Sequence, residues 1–171
     1  DRANGWHMTD DEALYELARE VGRILSLQGR ILVLAESCTG GWVAHCITDV
    51  PGSSAWFDRG FVTYSNQAKC ELLGVASETI QIHGAVSGET VRAMAVGALN
   101  HSAANVAAAV SGIAGPTGGT PDKPVGTVWF AWQRDDGIYR VQNKRFGGNR
   151  REVRRQAVRV ALQGILDVCR D

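Results

Sequence analysis

A serine, a tyrosine and a lysine stand where extended segments give way to turns, and they are the residues here best suited to chemistry. Ser37 lies in A-E-S-C-T-G-G, directly after the apolar run 31–35, and Tyr64 and Lys69 lie in Y-S-N-Q-A-K, at the end of the run 59–64. A third extended segment, 105–110, leads into S-G-I-A-G-P-T-G-G-T. In an open α/β sheet, ligands bind at the carboxyl ends of parallel strands. If these three segments are parallel neighbours, Ser37, Tyr64, Lys69 and a glycine-rich loop share one rim. That is the inventory of an enzyme.

A serine hydroxyl attacks a carbonyl only when a base takes its proton. None of His7, His45, His83 and His101 has an evident claim to that role, so a Ser–Lys or Ser–Tyr–Lys arrangement is the natural substitute. The lysine must then be neutral, against an ordinary pKa of about 10.4. Read with Asn66 as N-cap, Lys69 falls in the positive first turn of a helix, an effect worth about 0.3–1 kcal/mol. One pKa unit is about 1.4 kcal/mol, so burial or a nearby cation must supply the rest. Thr39, Gly40 and Gly41 open the next helix, where free N–H groups can hold an oxyanion and glycine admits a ligand close to the backbone.

Each residue also has a plainer reading. S-x-T-G-G fits an N-capping turn with Ser37 or Thr39 as cap. Lys69 fits a surface position on a helix. Cys38 is a rival nucleophile that otherwise packs under the turn as a small apolar group. The third loop offers Ser111, Gly112, Gly115, Thr117, Gly118 and Gly119, with Lys123 just downstream. It has the donors and clearance to wrap a phosphate or ribose, yet it matches neither the dinucleotide fingerprint nor the P-loop.

The elements that must position these groups follow from period and punctuation. Thr9-Asp10-Asp11-Glu12 spells a capping box, and Leu14, Leu17, Ala18, Val21, Ile24 and Leu25 recur at helical spacing up to Gly29. The continuous apolar run 31–35 predicts a strand buried on both faces. A helix is predicted over 39–47, a strand over 59–64, a short helix from the Asn66 cap to Gly74, another short turn of helix over 77–82, and a longer helix capped by Ser87. A small-residue strand follows at 105–110. Segments 126–133 and 138–146 flank Asp135-Asp136-Gly137 as a β-hairpin, and 150–168 forms a closing helix. This order predicts one three-layer α/β/α sandwich over 9–171, its mixed sheet parallel in the first half with an antiparallel hairpin in the second.

Composition narrows the class. With 44% hydrophobic and 21% charged residues among 171, the chain is expected to be one soluble domain with one core. No apolar run approaches the roughly 20 residues of a membrane helix, and no secretory pattern opens the sequence, so a cytoplasmic protein with no membrane partner is expected. Residues 1–7 read as a cloning remnant ahead of Met8. Cys38, Cys46, Cys70 and Cys169 lack paired spacing, which predicts reduced thiols and no metal site. Eighteen basic residues balance eighteen acidic ones, but Arg140, Lys144, Arg145, Arg150, Arg151, Arg154, Arg155 and Arg159 cluster against Glu152 alone. Such a cluster suits phosphate-bearing small molecules, a subunit contact or nucleic acid. With no net positive charge, no nucleic-acid partner is expected.

Several stretches taken together, A-E-S-C-T-G-G, G-S-S-A-W-F-D-R-G-F-V-T-Y-S-N-Q-A-K, G-A-V-S-G-E-T, S-G-I-A-G-P-T-G-G-T-P-D-K-P-V-G-T-V and the arginine-rich final helix, resemble the CinA C-terminal domain family. Its stand-alone members are the PncC-type nicotinamide-nucleotide amidases, and the resemblance runs in order from Thr9 to the end. It implies hydrolysis of nicotinamide mononucleotide to nicotinic acid mononucleotide and ammonia, without metal or cofactor, in a homodimer or larger assembly. The family's serine falls on Ser37, and its tyrosine and lysine fall on Tyr64 and Lys69. On this reading N–H groups of 39–41 hold the oxyanion, and the 111–120 loop with Arg145 or Arg150 holds ribose and phosphate. The family also includes members without deamidase activity, so a non-catalytic nucleotide-binding module of the same fold is the alternative.

Overall fold

In the computed structural model, which describes residues 8–171, the chain opens on the capping box that its sequence spells. The segment 1–7, read above as a cloning remnant, lies outside the described residues, as does its His7. Thr9 Oγ1 accepts the Glu12 N–H and the Glu12 carboxylate accepts the Thr9 N–H, starting helix α1 (Asp10–Gln28), which stops at Gly29. There follow β1 (Leu32–Glu36), α2 (Trp42–Thr48), a 3₁₀ turn (Ser53–Ala55) and β2 (Phe57–Val62). Helices α3 (Asn66–Leu73), α4 (Ser77–His83) and α5 (Gly88–Asn100) lead to β3 (Val106–Gly112), β4 (Thr127–Arg134), β5 (Tyr139–Arg145) and α6 (Arg150–Arg170).

The five strands are ordered β2-β1-β3-β4-β5. β1 pairs in parallel with both β2 and β3, and β3, β4 and β5 pair antiparallel in turn. Alternation along the strands divides the core. Leu32, Leu34, Val106, Ala108, Val110, Val128, Phe130 and Trp132 pack with α1, α2 and α6. Val33, Ala35, Ala107, Ala109 and Ala131 pack with α3, α4 and α5. The result is the three-layer α/β/α arrangement with a mixed sheet. On the first face, contact is close enough that a Cβ at Gly164 would run into the Trp132 indole, whose N–H donates to the Ala161 carbonyl.

Several boundaries differ from the sequence reading, each for a local reason. The strand at 31–35 runs one residue further, so Glu36 is in it. The segment 39–41 is a turn and α2 begins at Trp42, because Gly41 takes φ +98° and α-helix cannot run through it. The strand expected over 59–64 ends at Val62. Ser65, rather than Asn66, caps α3 by accepting the Ala68 N–H, which forces the chain out of the sheet two residues earlier.

Candidate active site

The same alternation that splits the core sends the two polar residues at the end of β1 to opposite layers. Glu36 follows Leu32 and Leu34 toward α2, and Ser37 follows Val33 and Ala35 toward α3. The Ser37 N–H still donates to the Val110 carbonyl of β3 at 3.0 Å, so the register of the sheet fixes its backbone. Glu36, 1% exposed, accepts the Thr39 hydroxyl at 2.7 Å and the N–H groups of Val43 at 2.9 Å and Ala44 at 3.0 Å. Gly41 has no side chain to cap α2, and Glu36 does this from within the strand. With Gly40 donating to the Ser37 carbonyl, the N–H groups of Cys38, Thr39 and Gly41 have no acceptor among the described residues.

On the other side, Lys69 is 1% exposed and extends from α3 to the Ser37 hydroxyl, with Nζ 3.0 Å from Oγ. Nζ also donates to the carbonyls of Thr63 at 2.9 Å and Tyr64 at 3.1 Å. No carboxylate pairs with it among the described residues. Burial therefore pushes the Lys69 pKa below the ordinary lysine value. A neutral amine suits this environment: two hydrogens go to the two carbonyls, and the lone pair is left for the serine hydroxyl to donate to. Cys38, also buried, faces the opposite effect. Desolvation raises its pKa to about 12, which keeps it a thiol.

Tyr64 is adjacent but differently engaged. Its carbonyl holds Lys69, while its phenol is exposed and accepts a hydrogen bond from Arg150 Nη2 at 3.2 Å. Arg150 Nη1 donates to the Gly115 carbonyl at 2.7 Å, so the first residue of α6 ties Tyr64 to the 111–120 loop. Ser111 is buried at the end of β3, next to Ser37; Gly112 and Gly115 follow inside the rim, and Thr117, Gly118 and Gly119 are exposed at the loop's crest. Arg145, in contrast, ends the edge strand β5 opposite Thr127, with β4 between it and β3. Lys123 turns away from the loop to donate to the His83 carbonyl at 2.6 Å, closing the end of α4.

Three contributors were not read from the sequence: Glu36, Thr63 and Arg154. Glu36 was visible as a carboxylate closing a fully apolar strand. Thr63 acts through its backbone carbonyl, which no residue type reports, and its own buried hydroxyl has no partner among the described residues. Arg154 donates to the carbonyls of Cys38 at 3.0 Å and Thr39 at 3.3 Å, fixing the turn from α6. The arginine cluster is thus dispersed into separate tasks rather than spread as one basic face, Arg140 pairing with Asp171. Among the described residues, no helix is long and apolar enough to cross a membrane.

The family model of the CinA C-terminal domain matches residues 14–169. The chain belongs to the CinA C-terminal domain family. It is 56% identical over 156 residues to the nicotinamide-nucleotide amidohydrolase PncC of Escherichia coli (strain K12), covering 91% of this chain and 94% of the relative. It is 50% identical to the protein of the same name from Pseudomonas putida, covering 89% and 94%. Among solved structures, the competence/damage inducible protein CihA from Agrobacterium tumefaciens superposes with a TM-score of 0.89 at 45% identity, covering 94% of this chain and 96% of that one. In this family the mixed sheet and its flanking helices recur nearly end to end.

Proposed function

We propose that this amidohydrolase converts nicotinamide mononucleotide to nicotinic acid mononucleotide and ammonia through an acyl-enzyme on Ser37. That the protein is an amidohydrolase follows from its identity, over nearly their whole length, to relatives named for that activity. The observation behind the mechanism is the 3.0 Å approach of a buried amine to Ser37 Oγ, its other two hydrogen bonds being taken by carbonyls. Neutral Lys69 accepts the Ser37 proton as Oγ bonds to the carboxamide carbon. The oxyanion is held by unpaired N–H groups of the 38–41 turn, worth about 3–4 kcal/mol per donor in comparable sites. Gly40, expected among them, has its N–H engaged in the turn, so Thr39 and Gly41 take the role.

Collapse of the tetrahedral adduct breaks the C–N bond, and Lys69 returns its proton to the departing ammonia. Water, deprotonated by the same amine, then attacks the ester, and Ser37 leaves as its hydroxyl with the carboxylate product. Tyr64, anchored by Arg150, borders the leaving-group side and assists through its carbonyl's grip on Lys69. Arg150 and the 111–120 loop receive ribose and phosphate, while Arg145 and Lys123 stand farther off. The reaction needs no cofactor beyond water. A cytoplasmic homodimer is the proposed working form; Val62 and Tyr64, at the end of β2 and just beyond it, are exposed and would be covered by a second copy.

The test is ammonia release from nicotinamide mononucleotide. Ser37→Ala is expected to lower turnover by at least about 10³-fold with substrate affinity within a few-fold. Cys38→Ser is expected to stay within about tenfold of wild type. Full turnover in the first variant, or loss of turnover confined to the second, would reject Ser37.

A further inference from the structure

The sheet ends on an uncovered strand. β5 lies last in the order β2-β1-β3-β4-β5, and all seven of its residues are exposed. The register settles which of its backbone groups are free. The Phe146 N–H donates to the Gly126 carbonyl and the Arg134 N–H to the Ile138 carbonyl, so the even-numbered residues of β5 are the ones bonded to β4. The N–H and C=O groups of Tyr139, Val141, Asn143 and Arg145 therefore point outward from the sheet. Side chains alternate along the same strand. Arg140, Gln142 and Lys144 share the α6 face with Phe130 and Trp132, and the odd-numbered residues share the α5 face with Ala131. On the α6 face a cavity of about 310 Å³ opens between β5 and α6, with Phe146, Val160 and Gly164 as its apolar floor and Gln142, Lys144 and Arg159 on its rim.

We propose that this edge receives an acidic, extended segment of a partner protein, which adds to β5 as a sixth strand and seats one apolar side chain in the cavity. In that mode of recognition, main-chain bonds to an exposed edge supply affinity and pockets for alternate side chains supply choice. Charge selects the partner. Lys144, Arg145 and Arg159 enter no ion pair among the described residues. The two acids nearby are already engaged, Asp171 by Arg140 and Asp167 by the Gln163 amide at 3.1 Å. Cations along an edge keep like edges apart. A second copy laid on β5 would set cation against cation, whereas an acidic strand meets unpaired ones. The apolar floor and the outward backbone groups suit a peptide better than a nucleic-acid backbone. On the opposite edge, β2, charge is satisfied within the chain: Arg59 donates to Asp58 and to the His101 carbonyl, and Asp58 accepts the Ala103 N–H. β3 and β4 separate β5 from β1, and binding here is independent of the amidase reading.

The probe is a capped hexapeptide whose alternate residues are glutamate, phenylalanine, glutamate on one face and valine, glutamate, valine on the other, titrated calorimetrically into the whole chain at low salt. It is expected to bind with a Kd of about 10–100 μM, and its counterpart with lysine for every glutamate at least about tenfold more weakly. On binding, amide exchange should slow at Tyr139, Val141, Asn143 and Arg145 and stay unchanged at Gln142 and Lys144, whose N–H groups already serve β4. Val141→Pro removes one outward donor without breaking the β4 ladder and should weaken binding at least about tenfold. Lys144→Glu combined with Arg159→Glu should reverse the preference toward the lysine peptide, a test that stands even if the proline variant does not fold. No binding at millimolar concentration, or amide exchange unaltered along β5, would overturn the site. Unchanged affinity in a folded Val141→Pro would overturn strand addition, and equal affinity for the lysine peptide would overturn the acidic partner. A halved mass of free Val141→Pro would assign the edge to a second copy, and tighter binding of a DNA duplex than of the peptide would assign it to nucleic acid; either overturns the proposal.

Discussion

At Lys69 the cost of burying an amine becomes, in the proposed mechanism, its chemical use. An exposed lysine stays protonated at neutral pH and cannot accept the Ser37 proton; the buried one, paired with no carboxylate among the described residues, has its pKa lowered by desolvation. Only the neutral form accepts a proton, so kcat/KM is expected to rise with pH along a one-proton limb whose midpoint lies below the ordinary lysine value. A midpoint at or above that value, measured by ammonia release across pH, would contradict this. Stability has the same sign. The native lysine sheds its proton at lower pH than the unfolded one, so the unfolded chain binds more protons between those two values and stability rises with pH there. Lys69→Met lacks this contribution. The denaturant midpoint of wild type relative to Lys69→Met is therefore expected to climb as pH rises toward the ordinary lysine value of about 10.4.

Among the elements, the β1–α2 connection is built around Glu36. Three donors converge on one buried carboxylate and fold the chain from strand into turn into helix. Glu36→Ala leaves the Val43 and Ala44 N–H groups and the Thr39 hydroxyl without an acceptor. It should cost about 1–3 kcal/mol of stability by chemical denaturation and about 10–100-fold in kcat with a smaller change in KM. Glu36→Gln, keeping one acceptor oxygen, is expected to fall between. The α6–β4 contact works differently, through absence of a side chain. Gly164→Ala places a methyl inside the Trp132 contact and should destabilise by about 1–3 kcal/mol. It lies outside the site, so kcat of the folded enzyme should stay within about twofold, read by denaturation and ammonia release in parallel.

For the molecule as a whole, the closing helix returns to the site opened by the first strand. Through Arg150 and Arg154, α6 grips Tyr64, Gly115, Cys38 and Thr39, segments separated by up to 116 residues. Arg150→Ala is expected to raise KM for nicotinamide mononucleotide about tenfold, with kcat changing less. A kcat loss with unchanged KM would instead place Arg150 in the chemistry. Much of this architecture was legible beforehand. The Thr9 cap, the stop at Gly29, the doubly buried run before Ser37 and the Asp136-Gly137 hairpin are each written in adjacent residues. The division of labour among the arginines was not, because eight similar side chains within twenty positions differ only in what distant segments place opposite them.

The amino-acid order alone determined most of the helices and strands, the family, and Ser37, Tyr64 and Lys69 as candidates, because capping, period and motif are properties of neighbouring residues. Tertiary structure decided that Lys69 is buried rather than on a surface, that Thr63 and Tyr64 hold it by their carbonyls, and that Arg150 rather than Arg145 reaches the rim. Those outcomes depend on the strand order β2-β1-β3 and on the return of α6, which bring together groups far apart in the chain. Burial and proximity of that kind set a pKa and a hydrogen-bond direction, and no local pattern encodes them.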